Sequence, residues 1–279
     1  MSPLRGDQAS PRSFWANLKL LCREWTLPKA AEDRDLMTTK SISNSTFLAE
    51  LMDNQTVDDL REDCRLACRS VGIIRNSYHH YPPIGAVDFT DQLMIFSDGF
   101  PEVWIHRYAE ERYDRFDPIV KRALNSTKAF WWSDIDESRL TCEERAYVTD
   151  WKSQHLGNGL AVPVFGPNDR NGYVGLGIGI EEKIFDAEDL LRLQTFCNAA
   201  HLQYCEITSR EREHINLSRR EHQTMKFVAR GLALHEVATA MNLKENTVGT
   251  YLRRVYQKLG VDNRVSATLR CLALGYLHV

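Results

Sequence analysis

The sequence predicts an α+β fold in two domains, and three observations lead to that prediction. Through residues 46–208, apolar residues at helical spacing alternate with short apolar runs of the kind that form strands. Those runs are linked mostly by hairpin-like turns, which favours an antiparallel sheet covered by helices. From residue 217 onward the apolar spacing is helical, which indicates a separate small helical domain.

Composition and charge support this division. The chain has 279 residues, of which 43% are hydrophobic and 26% charged, ordinary values for a globular protein. Of its 35 Lys and Arg and 38 Asp and Glu, residues 208–279 hold 12 and 6 (net +6), so residues 1–207 hold 23 and 32 (net −9). A basic small domain joined to an acidic larger one is typical of a nucleic-acid-binding module attached to a domain that does not contact DNA.

The sequence disfavours several other classes of protein. No run approaches the ~18 apolar residues of a membrane span, and residues 18–22 are too short, and broken by Lys19, to be the core of a signal peptide. The seven cysteines are odd in number and lack a CxxC-like pattern, which favours reduced thiols over a disulfide framework or a metal site. We therefore expect a cytoplasmic protein with no metal site and no membrane partner.

Residues 1–45 form an N-terminal extension. Residues 1–11 are polar, contain two prolines and are expected to be disordered. One apolar stripe then predicts a helix over 13–25, which ends before Pro28; its members are Phe14, Leu18, Leu21 and Trp25. A polar linker over 32–45 follows.

The next domain, residues 46–208, mixes helices and strands. Pro101 and Pro118 are suited to the first turn of a helix, Thr141 and Glu144 form a capping box, and Asp186 can cap a long helix. Helices are predicted over 46–71 (broken near 54–56), 101–113, 117–125, 141–157 and 187–210. Strands are predicted over 73–81, 92–97, 160–165 and 173–180, the last two joined by a loop containing Asn171 and Gly172.

After a charged linker over 209–216, residues 217–279 predict four short helices. Ser218 caps the first, which Gly231 ends; the second covers 235–241, the third 245–259 and the fourth 264–275. The turn between the second and third helices has the length used in a helix-turn-helix. The third helix carries hydrogen-bond donors suited to phosphates and base edges: Thr247, Thr250, Tyr251, Arg253, Arg254 and Lys258.

A second candidate site lies in the larger domain. Trp104 and Tyr108 are one helical turn apart, so their rings share a face, and Asp117 and Trp132 follow. Three aromatic groups and one carboxylate suit a small ligand with a flat polar head inside an apolar wall. The alternative interpretation is an aromatic core in which Asp117, directly before Pro118, only caps a helix.

An enzymatic function is disfavoured. The run Gly175-x-Gly177-x-Gly179 has the wrong spacing for a nucleotide-binding GxGxxG loop and does not open a helix. The alternating glycines instead indicate one face of a strand against which a helix packs closely. No Ser/His/Asp or Cys/His arrangement has local support, so we expect no catalytic residues.

The two sites resemble the two halves of one known family. Residues 217–277 resemble the LuxR-type DNA-binding domain in the motifs Ser-Arg-Arg-Glu at 218–221, Ala-Arg-Gly at 229–231, Glu-Val-Ala at 236–238, Lys-Leu-Gly-Val at 258–261 and in Arg264. The larger domain resembles the acyl-homoserine-lactone-binding domain of quorum-sensing regulators in the spacing Trp104-x3-Tyr108-x8-Asp117-Pro118 and in Trp132 and Gly159. The resemblance implies an N-terminal α-β-α sandwich with an antiparallel sheet, then a four-helix helix-turn-helix domain.

The resemblance also implies a role for each ligand-binding residue. The Trp104 indole would donate to the lactone carbonyl, Asp117 would accept from the amide N–H, Tyr108 would donate to the acyl carbonyl, and Trp132 would pack on the lactone ring. Phe100 and Ile178 depart from the family, which often has Tyr and Ser or Thr there, so the pocket should be more apolar. The alternative is a LuxR-type regulator whose N-terminal domain no longer binds a lactone and acts through another ligand or a protein partner.

For DNA, the resemblance implies a homodimer on a pseudo-palindromic, double-stranded promoter site, with RNA polymerase as a further candidate partner and no cofactor besides the lactone. Gly249 stands where relatives have a base-contacting side chain, so Arg253 is expected to read a base, whereas Arg254 and Lys258 hold phosphates. Lys244 replaces the usual cap of this helix. The family usually lacks the extension, so either Met37 is the true start or the helix near residues 14–25 packs on the sensor or a partner.

Overall fold

The computed structural model describes residues 45–86, 94–178, 185–210 and 215–278. The helix predicted over 13–25 lies outside these residues. The helices of the larger domain are α1 (Ser45–Met52), α2 (Val57–Ser70), α3 (Glu102–Glu110), α4 (Pro118–Ala123), α5 (Cys142–Ser153) and α6 (Ala187–Arg210). Its strands are β1 (Ile73–Tyr81), β2 (Met94–Asp98), β3 (Phe130–Trp131), β4 (Gly159–Phe165) and β5 (Asn171–Ile178).

The strands form one sheet in the order β2-β1-β5-β4-β3, and every neighbouring pair is antiparallel. This confirms the predicted α+β class. The turn between β4 and β5 differs from the prediction, because Asn171 and Gly172 already pair with Phe165 and Val164 inside the sheet. The chain instead reverses at Pro167–Asp169, where Asn168 and Asp169 adopt the left-handed conformation that Asn and Asp tolerate well.

Helices α1, α2 and α6 cover one face of the sheet. The long helix α6 begins at Asp186, whose Oδ1 accepts from the Asp189 N–H at 2.8 Å, as the sequence predicts for a cap. Because side chains of a strand alternate between faces, Val174, Leu176 and Ile178 share this side of β5. The fully buried members of this core include Leu51, Ile73, Leu160, Val162, Leu176 and Leu193.

Helices α3, α4 and α5 lie on the opposite face and complete the α-β-α sandwich. The glycine-bearing face of β5 is on this side, but its neighbour is not the helix that was predicted. The Trp132 indole lies across the strands: a Cβ at Gly159 would be 2.6 Å from its ring, and one at Gly177 would be 3.3 Å away. The glycines therefore make room for an aromatic ring in a three-residue 3-10 turn, Trp132–Asp134.

The C-terminal domain contains α7 (Arg219–Ala229), α8 (Leu234–Met241), α9 (Glu245–Leu259) and α10 (Arg264–Ala273). Ser218 and Glu221 form a reciprocal capping box at the start of α7, and Gly260 ends α9 in the left-handed conformation. Lys244 precedes α9 without a side-chain cap, as the sequence predicts. Apolar residues from all four helices share one core: Met225, Val237, Val248, Val255, Leu259 and Ala267. Among the described residues, no helix combines the length and apolar character that crossing a membrane requires.

Candidate functional site

A cavity of about 40 Å³ lies between the sheet and helices α3–α5. Five of the six predicted ligand-binding residues line it together: Phe100, Trp104, Tyr108, Asp117 and Trp132. The remaining wall consists of Ser77, His79, Ser97, Ile105, Ile119, Tyr147, Trp151 and Tyr173. Residues from three strands, three helices and the loops between them thus converge on one small polar and aromatic space.

Ile178 does not line this cavity, and its predicted place beside the acyl carbonyl is wrong. It is 4% exposed and belongs to the core under α1, α2 and α6. The physical reason is that side chains alternate along a strand. Ile178 lies on the same face of β5 as Leu176, whereas Tyr173 lies on the other face, which lines the cavity.

Asp117 is the one carboxylate among the described residues that line the cavity, and it is 4% exposed. Its Oδ1 accepts from the Ile119 N–H at 2.8 Å and so caps α4. Its Oδ2 accepts from the hydroxyls of Tyr147 at 2.9 Å and Tyr108 at 3.1 Å. The residue is therefore both a helix cap and the polar centre of the cavity, so the two interpretations of the sequence are not exclusive.

Burial raises the pKa of Asp117 to about 6, although the hydrogen bonds from Ile119, Tyr147 and Tyr108 act in the opposite direction. Burial also lowers the pKa of His79 to about 3, so this imidazole is neutral at physiological pH. The cavity therefore presents one carboxylate with a raised pKa inside a wall of neutral donors.

Aromatic rings hold these groups in place. The Trp104 and Tyr108 rings meet edge to face with centroids 6.2 Å apart, and Tyr147 meets Tyr108 in the same way at 6.1 Å. On the other side, Trp132 meets Trp151 edge to face at 5.5 Å. Such pairs are favourable geometries for aromatic rings, so they fix the orientation of the Trp104 and Tyr108 side chains.

The Tyr108 hydroxyl does not have the free proton that its predicted role requires. A phenol donates only one hydrogen bond, and Tyr108 donates its proton to Asp117. The prediction that Tyr108 donates to an acyl carbonyl therefore does not fit this arrangement.

Close to this cavity, two other buried donors have no acceptor among the described residues. They are the Trp132 Nε1–H and the Tyr81 hydroxyl. Trp132 lines the cavity, and Tyr81 packs on the same apolar cluster as Trp132, Tyr173 and Ile119. A buried donor without an acceptor costs free energy, so both are suited to a bound group that supplies one.

Sequence reasoning missed Tyr147, Tyr173, His79 and Ser77. The signal for the β1 residues was present, because alternation puts Ser77 and His79 on one face of a nine-residue strand. No local pattern marks Tyr147, since it reaches Asp117 only after α5 packs beside α4, thirty residues along the chain. Contacts of this range require the tertiary fold.

A second cavity, of about 50 Å³, lies on the opposite face of the sheet between α2 and α6. Its walls are largely apolar side chains and thiols, among them Leu60, Cys64, Phe196 and Cys197. It brings together none of the predicted ligand-binding residues.

Nearby, His80, His201 and Cys205 place potential metal-ligating atoms within 4.8 Å of one another. These groups already belong to a hydrogen-bonded network: His201 Nε2 lies 2.8 Å from the Arg170 carbonyl oxygen, and the Tyr78 hydroxyl lies 2.7 Å from His201 Nδ1. The Arg170 guanidinium also lies 3.3 Å from His80 Nε2, and its positive charge disfavours a cation there. We interpret the cluster as part of the buried structure.

On the C-terminal domain, α9 exposes the side chains of Arg253 and Arg254, while Thr247, Thr250 and Tyr251 are half-buried. Thr250 donates its hydroxyl to the Asn246 carbonyl at 2.9 Å. A Cβ added at Gly249 would meet nothing within 4 Å, so the surface beside Arg253 is open. Among the described residues neither arginine has an ion-pair partner, which leaves both charges available to a nucleic acid.

Lys258 differs from its prediction as a phosphate contact. Its Nζ lies 2.7 Å from Glu221 Oε2 and donates to the Asn216 carbonyl at 2.8 Å. The Glu221 side chain is only 3% exposed, so the lysine compensates a buried charge. Burial alone would raise the pKa of Glu221, but Lys258 and Ser218 keep it below its usual value. Lys258 therefore joins α9 to the start of α7.

Comparison with known proteins identifies a family for each of the two domains. Residues 56–204 match the protein family described as autoinducer binding domain. Residues 215–271 match the family described as bacterial regulatory proteins, luxR family. The first match contains the cavity and the second contains the helix that carries Arg253.

Individual relatives are distant. The y4qH protein of Sinorhizobium fredii is 26% identical over 183 residues, which cover 64% of this chain but only 56% of y4qH. The HTH-type quorum-sensing regulator RhlR of Pseudomonas aeruginosa is 25% identical over 208 residues, which cover 72% of this chain and 83% of RhlR. The crystal structure of Escherichia coli SdiA has a TM-score of 0.68 at 19% identity and covers 83% of this chain and 96% of SdiA. That likeness shows a shared fold.

Proposed function

The chain belongs to the LuxR family of bacterial transcriptional regulators with an autoinducer-binding domain, and from this premise we propose that it senses an acyl-homoserine lactone. The lactone occupies the cavity around Asp117. Its binding changes how the C-terminal domain engages a promoter, so the protein is a ligand-responsive regulator of transcription and not an enzyme. Because its target is chromosomal DNA, the proposed place of action is the cytoplasm.

The observation that carries the proposal is the buried Asp117 carboxylate within an aromatic wall. An acyl-homoserine lactone has one N–H donor, which the carboxylate can accept, and two carbonyl groups that need donors. Trp104 and Trp132 line the same cavity and have indole N–H groups, and the Trp132 group has no acceptor among the described residues. A charge-assisted bond inside a dry site is worth ~1.5–3 kcal/mol, enough to orient the head of the ligand.

The proposed DNA contact uses α9 as the recognition helix of a helix-turn-helix. Arg253 and Arg254 are exposed on it, and the helix follows the short turn after α8. In this motif the N-terminal part of the second helix enters the major groove. Arg253 therefore reads a base, with Thr247, Thr250 and Tyr251 beside it, and Arg254 holds a phosphate.

The proposed active form is a homodimer, which matches a two-fold-symmetric DNA site. Helix α6 exposes Leu191 (66% exposed) and Leu202 (38%), and Phe165 (42%) lies next to it, with its N–H bonded to Asn198. Apolar side chains exposed along one helix are suited to a second copy of the same helix.

A second candidate function replaces the lactone with another ligand or a protein partner. Phe100 supplies no hydroxyl, and Tyr108 gives its proton to Asp117, so two donors of the lactone-binding pattern are missing. The DNA-binding half is the same in both hypotheses.

Selection of bound duplexes from a random DNA library tests the proposal. The full chain is purified from cells supplied with a panel of acyl-homoserine lactones and from cells without them. We expect sites with two-fold symmetry, and an affinity for those sites that differs at least tenfold between the two preparations. Symmetric sites bound equally with and without every lactone would favour the second candidate. Selection of no preferred sequence would contradict the DNA-binding half.

A further inference from the structure

Helix α10 of the C-terminal domain contacts the larger domain, and the proposed function does not use this contact. Two turns of the larger domain touch it: residues 83–86, which we call the Gly85 turn, and residues Pro167–Asp169, which we call the Asn168 turn. One turn meets the middle of the helix, and the other meets the residue just beyond its end. The helix is therefore held at two points, and a glycine takes part in each.

The Gly85 turn packs backbone against backbone. The Ala86 N–H donates to the Pro83 carbonyl at 2.9 Å and closes the turn, in which Gly85 has a φ of +93°. A Cβ added at Gly85 would lie 2.7 Å from the carbonyl carbon of Leu269 and 2.8 Å from its Cβ. Only glycine allows this φ and this approach without strain. The turn thus lies directly on α10, with no flexible side chain between them.

The Asn168 turn packs on the end of α10 in a similar way. Gly275 follows the helix with a φ of +74°, and a Cβ there would lie 2.8 Å from Asn168 Oδ1. Asn168 itself has a φ of 56°, in the left-handed region that few residues other than glycine adopt. A larger side chain at Gly85 or Gly275 would push the two domains apart, so the contact depends on glycine at both positions.

Both turns are connected to the cavity around Asp117 by the same two strands. His79 of β1 and Tyr173 of β5 are paired in the sheet, both line the cavity, and their rings stack with centroids 4.3 Å apart. Two residues further on, Tyr81 pairs with Asn171, and there both strands end. The Gly85 turn continues from β1, and the Asn168 turn leads into β5. The wall of the cavity and the two turns are therefore parts of one pair of strands.

The cavity is too small for the proposed ligand unless its walls move. Its volume is about 40 Å³, whereas pockets that enclose a small-molecule ligand have volumes of roughly 300–1,000 Å³. A lactone therefore enters only when the sheet and helices α3–α5 move apart. Close-packed interiors transmit such a displacement to their neighbours. Each contact with α10 has a glycine at the place where a flexible side chain could have yielded.

We propose that the Gly85 and Asn168 turns are a docking surface for α10, and that a ligand which widens the cavity releases the helix from them. The identity of the ligand rests on the proposed function, whereas the docking does not. A displacement of the strand ends moves both turns, and a tightly packed contact separates rather than deforms. Because coupling between two binding equilibria is reciprocal, weaker docking must in turn raise the affinity for the ligand.

Nuclear magnetic relaxation of ¹⁵N in the full chain tests the inference, because it gives a rotational correlation time for each domain. Without ligand, the two domains should share one correlation time, since docked domains tumble as one body. Adding N-hexanoyl- or N-decanoyl-homoserine lactone, plain or 3-oxo, should shorten the correlation time of the C-terminal domain alone. Gly85→Ala should shorten it without ligand and should bind the lactones about fivefold more tightly or better.

Gly231→Ala is the matched control, because Gly231 has a φ of +91° but a Cβ there would meet nothing within 4 Å. It introduces the same backbone strain without a clash, so the domains should still share one correlation time. Asn168→Gly is the second variant: it removes the side chain that packs on Gly275, suits a φ of 56°, and should also separate the domains.

Two results would overturn the docking: separate correlation times in the unmodified chain without ligand, or a shared one kept in both Gly85→Ala and Asn168→Gly. A shared correlation time kept with a lactone bound would overturn the coupling. Failure of every lactone to bind would overturn the proposed function instead, since the correlation times without ligand still measure the docking.

Discussion

Asp117 shows at the scale of one residue how a structural and a binding role are combined. It caps α4 through the Ile119 N–H and gathers two tyrosine hydroxyls from α3 and α5. Its burial is what makes it useful, because a carboxylate in a dry site binds an N–H donor more strongly than an exposed one does.

The raised pKa of Asp117 predicts how stability depends on pH. Burial moves this pKa from 3.8 to about 6, so the folded chain holds the proton more tightly than the unfolded chain. The contribution of Asp117 to the free energy of unfolding therefore decreases as pH rises from about 4 to about 6.

Ligand affinity should change in the opposite direction. The amide N–H binds the ionised carboxylate, so lactone affinity should rise as pH increases through about 6. Between pH 5.5 and 7.5 the ionised fraction increases about fourfold, and the affinity should follow. Isothermal titration at both pH values checks this, with Asp150→Asn as a control outside the cavity that keeps the dependence. An affinity that is the same at both pH values would mean that Asp117 does not contact the amide.

Single residues were predictable from the sequence where the signal was local. The spacing of four residues in the sequence identified one wall of the cavity: Trp104, Tyr108, Asp117 and Trp132. The hydrogen-bond partners of these residues were not predictable. Tyr147 is thirty residues from Asp117 in the sequence, and the donation of the Tyr108 proton to Asp117 follows only from their positions in the fold. The family resemblance predicts Ile178 beside the ligand, but the alternation of β5 puts it on the face of Leu176, away from the cavity.

At the scale of elements, helix α9 combines DNA recognition with support of the domain. Its outer face carries Arg253 and Arg254, its inner face packs Val248, Val255 and Leu259, and Lys258 anchors it to α7. Substitutions on the same helix should therefore have different consequences.

Arg253→Ala should weaken binding to the specific DNA site by ~1–3 kcal/mol and relax the preference at one base pair per half-site. The reason is that Gly249 offers no side chain, so Arg253 carries more of the base contact. Fluorescence anisotropy on specific and scrambled duplexes at two salt concentrations measures this. An equal loss on both duplexes would make Arg253 a phosphate contact, and specificity would come from Thr247, Thr250 or the shape of the DNA.

Lys258→Ala should destabilise the C-terminal domain, because it leaves the buried Glu221 carboxylate without its cation. We expect a loss of about 1–3 kcal/mol in the stability of α7 and α9, measured by hydrogen exchange of their amide groups. Lys226→Ala, on the exposed side of α7, is the matched control and should change little. If Lys258→Ala leaves exchange unchanged but lowers the salt dependence of DNA binding by about one, the lysine contacts a phosphate after all.

Most helices and strands could be predicted because their boundaries depend on interactions between residues that are close in sequence. The capping boxes at Thr141 and Ser218 and the cap at Asp186 fix the starts of α5, α7 and α6. The ends were less predictable: the helix expected to reach residue 113 stops at Glu110, and the chain continues as a 3-10 turn over Tyr113–Arg115. The side chain that packs on the glycine-bearing face of β5 could not be predicted from neighbouring residues in the sequence. It is Trp132, which reaches this face only because β3 pairs with β4.

For the whole molecule, the open question raised by the sequence is the role of residues 1–36. If Met37 is the true start, a chain that begins there should equal the full chain in solubility, lactone response and DNA affinity. Parallel measurement of the three properties checks this. A loss of any of them on truncation would show that the apolar stripe of Phe14, Leu18, Leu21 and Trp25 packs on the rest of the protein or on a partner.

The central claim is that a lactone occupies the cavity around Asp117, and native mass spectrometry tests it most directly. The full chain and Asp117→Asn are each purified from cells supplied with an equimolar mixture of acyl-homoserine lactones. Loss of a charge-assisted bond costs ~1.5–3 kcal/mol, so Asp117→Asn should reduce affinity at least tenfold. We expect one lactone per unmodified chain and a strongly reduced bound fraction in Asp117→Asn. An unmodified chain without lactone, or equal occupancy in both proteins, would contradict it.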